Sequence, residues 1–228
     1  MKEKRCDRKN CRFLLCFIVC IAALFLANPA YAGEEGAEQQ EGQVSGLVAE
    51  NQTVKSIRLK WEGIEGAQGY TLYQYNDKDK SWKEVKNLQQ NYFEVRKLKP
   101  ATVYQFRVAA YRSAGFETVY LPVSETLTTA TVPQKTSVEV TQAGFYLSNY
   151  HLRLLICRAK KVKGASGYQY AYSLFRNKKY RTIRTKKWFS KIRLQKGRTY
   201  YFKVRAYKKA GDVYYYGEYS DPKPVWIQ

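Results

Sequence analysis

The chain carries one pattern twice. Gly66-Ala67-Gln68-Gly69-Tyr70 recurs as Gly164-Ala165-Ser166-Gly167-Tyr168, and Leu98 through Tyr111 aligns without a gap on Leu194 through Tyr207. Offsets of 98 and 96 positions imply two copies of one unit. Each copy has roughly a hundred residues, the usual size of an independently folding domain. Duplicated small domains more often bind or space things than catalyse, so the repeat argues against an enzyme.

The first segment reads as an address. Lys2, Lys4, Arg5, Arg8, Lys9 and Arg12 precede an apolar run from Phe13 to Ala27, and Asn28-Pro29-Ala30-Tyr31-Ala32 follows. Ala30 and Ala32 occupy the small-residue positions that a signal peptidase reads. The run is short for a bilayer-spanning helix, which needs about 20 residues. Residues 1–32 are therefore predicted to be a signal peptide cleaved after Ala32, giving a secreted or cell-surface protein; an uncleaved anchor is the alternative. Cys6, Cys11, Cys16 and Cys20 leave with that segment, and Cys20 is preceded by residues too bulky for lipid processing. Cys157 remains alone, so no disulfide framework is expected.

Charge is unevenly spread. Residues 33–133 hold 12 basic and 13 acidic groups, whereas residues 134–228 hold 22 and 4. The second repeat alone is strongly cationic, and its expected partner is polyanionic. Residues 33–45 are predicted to be a disordered acidic spacer, because they have too little apolar content to offset the entropy of ordering. The first domain is placed at 46–131 and the second at 134–228, joined by little more than Thr131-Val132-Pro133, a short linker stiffened by proline.

Within each repeat the apolar residues alternate with polar ones over short stretches broken by turn residues, with no helical period. Ile57-Arg58-Leu59-Lys60-Trp61 and Tyr104-Gln105-Phe106-Arg107-Val108-Ala109-Ala110 are examples. Seven such strands in about ninety residues predict an all-β chain of two antiparallel sandwiches. Tyr104, Phe106, Val108 and Ala110 should face inward, as should Tyr200, Phe202, Val204 and Ala206, because alternate residues of a strand share a side.

Trp61, Tyr70, Leu72 and the run Leu98-x-Pro100-x-Thr102-x-Tyr104-x-Phe106-x-Val108-x-Ala110 resemble a fibronectin type III domain. The resemblance implies a tandem pair of seven-stranded, immunoglobulin-like sandwiches. Tyr104 would be the tyrosine corner, its hydroxyl bonded to backbone upstream. The Gly-Ala-x-Gly-Tyr turn is similar to copies common in secreted proteins of Gram-positive bacteria. The second repeat departs from the pattern at Ala159, which stands in place of Trp61, and at Lys196, in place of Pro100. Trp188 or Trp226 is expected to fill the space at Ala159.

No catalytic or metal constellation is legible. The single histidine, His151, would need Ser148 or Cys157 as a partner, and no spacing favours that. One His and one Cys cannot hold zinc. Asp77 and Asp79 lie in a turn with Lys78 and Lys80, which reads as a solvated loop. No catalytic residue, cofactor or metal is expected.

The remaining candidate is the basic, aromatic second repeat. Lys178, Lys179, Arg181, Arg184, Lys186, Lys187, Tyr201, Lys203, Arg205 and Tyr207 are predicted to form one cationic face with exposed rings, binding an anionic polymer. A wall polymer, an acidic polysaccharide or an anionic membrane surface would fit; extracellular nucleic acid or a protein partner are further candidates. The alternative is a tandem spacer or protein-interaction module whose charge has no specific ligand.

Overall fold

The computed structural model describes residues 42–143 and 151–228. The predicted signal peptide and most of the predicted acidic spacer lie outside the described residues. The spacer assignment ends too late, because Val44 is buried in the first core. The described residues contain no helix.

The first repeat forms β1 (Val48–Gln52), β2 (Ile57–Lys60), β3 (Gly69–Asn76), β4 (Ser81–Leu88), β5 (Tyr92–Val95), β6 (Val103–Ala114), β7 (Glu117–Tyr120) and β8 (Leu127–Ala130). The second forms β9 (Val138–Gln142), β10 (Leu152–Ala159), β11 (Gly167–Ser173), β12 (Arg181–Thr185), β13 (Phe189–Gln195), β14 (Arg198–Ala210), β15 (Val213–Tyr216) and β16 (Lys223–Ile227). In the first, β1-β2-β5 faces β4-β3-β6-β7, with β8 also on β6; in the second, β9-β10-β13 faces β12-β11-β14-β15, with β16 also on β14. All pairings are antiparallel. Each repeat has its own buried core.

Eight strands stand where seven are expected because the last one is broken in both copies. The chain leaves the ladder around Pro122 and Pro222, which have no N–H to give it. Ser124 bridges the break: its Oγ accepts the Val108 N–H at 3.0 Å and its N–H donates to the Val108 carbonyl at 2.8 Å. Ser220 does the same to Val204 at the same distances. The inward positions agree with the alternation. Phe106, Val108, Ala110, Tyr200, Phe202, Val204 and Ala206 are buried, Tyr104 packs on the first core, and its hydroxyl accepts the Lys99 N–H at 2.8 Å.

The repeated Gly-Ala-x-Gly-Tyr pattern has a steric cause. A Cβ on Gly69 would strike the Tyr111 ring and the Leu88 carbonyl oxygen, and one on Gly167 would strike the Tyr207 ring and the Thr185 carbonyl oxygen. Only glycine lets a tyrosine from the neighbouring strand lie across the backbone there. The motif tyrosines secure the preceding loop: the Tyr70 and Tyr168 hydroxyls accept the Ile64 and Val162 N–H groups, each at 2.8 Å. The linker is tied down too, with the buried Thr131 donating its hydroxyl to the Lys99 carbonyl at 2.6 Å and the Val132 N–H donating to the Thr53 carbonyl at 3.1 Å.

Neither tryptophan fills the place at Ala159. Trp188 is 37% exposed and Trp226 56% exposed. The compensation comes from Tyr170, which stands where the first repeat has Leu72 and is fully buried in one cluster with Ala159 and Cys157. Its hydroxyl and the Ala159 N–H both donate to the Trp188 carbonyl. That bond satisfies the polar tip of a ring that could not otherwise be buried cheaply. The Trp–Leu pair of one core has become an Ala–Tyr pair in the other.

Cys157 is buried, and burial pushes its thiol up to about 12. Thiolate is the reactive form, so at pH 8 the folded chain from Gly33 onward should resist a disulfide reagent. We expect it to react at least roughly a hundredfold more slowly than the same chain in denaturant. Equal rates would show that the thiol is accessible.

Candidate polyanion-binding surface on the second sandwich

Strand register decides which of the basic residues share a side. On β14, Tyr201, Lys203, Arg205 and Tyr207 alternate with the buried Tyr200, Phe202, Val204 and Ala206. Their β11 partners are Ser173, Ala171, Gln169 and Gly167, and beyond Gln169 on β12 lies Arg184. On the other flank Tyr207 pairs with Tyr216, and Lys209 pairs with Tyr214. The outer face of this sheet thus collects Arg184, Lys203 and Arg205 among tyrosines.

The cations are interleaved with the rings. Lys203 Nζ lies 4.0 Å from the Tyr180 ring centre and 4.5 Å from that of Tyr219. Arg205 Cζ lies 4.4 Å from Tyr219 and 4.0 Å from Tyr216, and Arg184 Cζ lies 4.2 Å from Tyr214. Hydrogen bonds fix the order: Arg205 Nε and the Tyr219 hydroxyl both donate to Gln169 Oε1, at 2.8 and 3.0 Å, and Arg184 donates to the Tyr216 hydroxyl at 2.9 Å. Burial outweighs the adjacent cations and raises the hydroxyl pKa of Tyr180, Tyr207 and Tyr219. Each contact places a positive group on the negative face of a ring.

Several predicted residues sit elsewhere. Tyr207 is on the outer side but only 4% exposed, because Tyr214 and Tyr216 close over it edge-on at 5.3 and 5.9 Å. It is not an exposed ring. Arg181 pairs with Tyr172, whose ring stacks on Phe202, so it belongs to the opposite side of β12 from Arg184. Lys178 and Lys179 lie in the β11–β12 turn, and Lys186 and Lys187 in the β12–β13 connection, all exposed. Tyr201 is partly exposed. The single broad face is therefore replaced by a stacked ladder on one sheet and exposed cations around it.

The sequence reading missed Tyr214, Tyr216 and Tyr219 and the acceptor Gln169. The alternation of Tyr214 and Tyr216 beside the outward residues of β14 was the available signal.

Charge pairing separates the two sandwiches. In the first, Arg58 and Lys60 pair with Glu50, Lys83 with Asp79, and Arg96 with Glu94. Among the described residues of the second, the ion pairs are Lys135–Asp221 and Lys209–Asp212. No group of His, Cys, Asp and Glu suited to a metal occurs among the described residues.

Residues 42–126, which span most of the first sandwich, match the family described as Fibronectin type III domain. Two tandem solved structures are similar in fold. The FN1–FN3 domains of chicken CNTN1 are 18% identical with a TM-score of 0.44, covering 82% of this chain and 67% of that one. A two-domain fibronectin type III segment of chicken tenascin is 12% identical with a TM-score of 0.44, covering 81% and 99%. No curated protein matches the sequence. Fibronectin type III domains are commonly non-catalytic binding or spacer modules.

Proposed function

We propose that this is an exported, non-catalytic binding protein of two fibronectin type III sandwiches, the second of which holds an anionic polymer or surface. The observation that carries the reading is the imbalance of the second repeat, 22 basic groups against 4 acidic. Most of those cations are exposed and lack an acidic neighbour. A merely soluble surface mixes signs, and the first sandwich does. Export rests on the basic-apolar-small pattern of residues 1–32.

The ladder changes which cations should be tested. Lys203 and Arg205 have their faces occupied by rings, so their loss would confuse binding with folding. Lys178, Lys179, Lys186 and Lys187 are exposed, and the ring contacts of three of them are longer, Lys178 and Lys179 at 5.5 and 5.4 Å from Phe175 and Lys187 at 5.6 Å from Phe189, so their loss should cost less stability. Changing these four to Gln in the chain from Gly33 onward should weaken binding to a soluble anionic polymer such as polyglycerol phosphate by roughly tenfold or more at low salt. The same change at Lys55, Lys78, Lys80 and Lys97 of the first sandwich should leave it nearly unaltered. Raising salt toward about 1 M, where screening acts within a few ångströms, should abolish binding. Equal loss from both sets, or indifference to salt, would leave the charge as surface and favour the spacer reading.

A further inference from the structure

One end of the second sandwich combines features that a soluble polymer does not need. The β11–β12 turn and the β13–β14 turn meet there, since Ser173 pairs with Tyr201 and the Lys196 and Gly197 N–H groups donate to the His151 and Ile227 carbonyls. Arg176, Lys178, Lys179, Lys196 and Arg198 surround this end, all exposed. The four acids of the repeat are elsewhere: Glu139 stands opposite Arg158, Asp212 is in the β14–β15 turn, Glu218 adjoins the Gly217 packed on Pro133, and Asp221 pairs with Lys135.

Inside that ring of charge two large apolar side chains are exposed, and the ammonium groups of Lys178 and Lys179 lie 5.5 and 5.4 Å from the ring centre of one of them, Phe175. Leu174 is 40% and Phe175 44% exposed, and Leu152 is exposed nearby. The turn is built to hold them there. Ser173 Oγ accepts the Phe175 N–H at 3.0 Å and donates to the Lys178 carbonyl at 2.7 Å, while the Tyr180 hydroxyl donates to the Arg176 carbonyl. Beside the tip lies a groove of about 450 Å³ whose lining includes Phe175, Leu152, Lys179, Arg181 and Arg193.

We propose that this end docks on an anionic lipid bilayer, Leu174 and Phe175 entering the headgroup–acyl boundary while the surrounding Lys and Arg meet lipid phosphates. The inference deepens the polyanion reading and rests on it. An exposed apolar tip gains nothing from a hydrated polymer, but it gains burial at a membrane surface. Cations around apolar side chains are the combination that holds a protein in that plane. Lysine and arginine stems can also lie along the apolar boundary with their charges in the headgroup layer.

The test is co-sedimentation of the chain from Gly33 onward, which keeps the compact unit Gln39–Gln228 and lacks the apolar leader that would bind lipid by itself. Vesicles of phosphatidylcholine are compared with vesicles containing about a third phosphatidylglycerol. Binding is expected to the anionic vesicles alone. Leu174→Ser with Phe175→Ser should lower the partition coefficient roughly tenfold or more, the scale expected for a large apolar side chain withdrawn from burial. The same double variant should bind soluble polyglycerol phosphate as the parent does. Phe116→Ser, at a fully exposed ring in the β6–β7 turn of the first sandwich, should change neither. Equal vesicle binding by the double variant and the parent would overturn the docking mode. Binding to the soluble polymer but not to anionic vesicles would overturn the membrane inference and spare the polyanion reading. Binding to neither would overturn both.

Discussion

Replacing Trp61 by alanine should cost the first sandwich about 3–5 kcal/mol, the range for a buried tryptophan emptied to a cavity. Trp61 is 1% exposed and meets Tyr70 edge-on at 5.5 Å, so its removal also frees the ring whose hydroxyl anchors the preceding loop. The two cores are separate clusters, so the loss should fall on one of them. For a domain of this size 1 kcal/mol moves the melting temperature by about 4–8 °C, so the first transition should fall by roughly 15 °C or more while the second stays near its place. Calorimetry of the chain from Gly33 onward reads this directly. A shift of only a few degrees would mean that the first core closes over the space. Trp61→Phe should cost less, because the indole N–H has no protein partner and that unmet group leaves with it.

The reverse change, Ala159→Trp, should not rescue anything in the second sandwich, because Tyr170 already occupies that space. This is also where reading the sequence reached its limit. The repeat, the alternation and the pattern around Tyr104 were enough to set the sandwich class and the inward residues, since a period of two leaves a strand with one buried side no choice of register. The substitution of a Trp–Leu pair by an Ala–Tyr pair was not legible. Its two members are eleven positions apart in sequence, and only the fold brings Tyr170 against Ala159. The arrangement of the candidate surface was hidden for a similar reason. A list of cations from Arg176 to Arg205 says which residues are charged, but strand register puts Arg181 and Arg184 on opposite sides of one strand. The rings that engage Arg205 come from beyond residue 210, past the stretch where charge is densest.

Reversing Lys203 and Arg205 to Glu together should destabilise the second sandwich rather than merely discharge it. The two cations make four ring contacts, with Tyr180, Tyr219 and Tyr216, all at 4.0 to 4.5 Å. Partly exposed contacts of this kind contribute about 0.5–1 kcal/mol each. A carboxylate in the same place would face the negative side of each ring, and the Gln169 oxygen would lose the Arg205 donor and meet an acceptor instead. The expected loss is therefore about 2–4 kcal/mol, seen as a fall in the second melting transition with the first unchanged. In the first sandwich the matching Arg107 stacks on Trp82 alone, at 4.5 Å, and donates to Thr126 at 2.7 Å. Arg107→Glu should therefore cost clearly less. Lys203→Met with Arg205→Met separates packing from charge: if the ladder holds through the cations, the methionine pair still loses stability although its stems cover the same rings. If both double variants melt with the parent, the tyrosines stand without their cations. Lys203 and Arg205 would then be free to serve the anionic partner, as the sequence alone suggested.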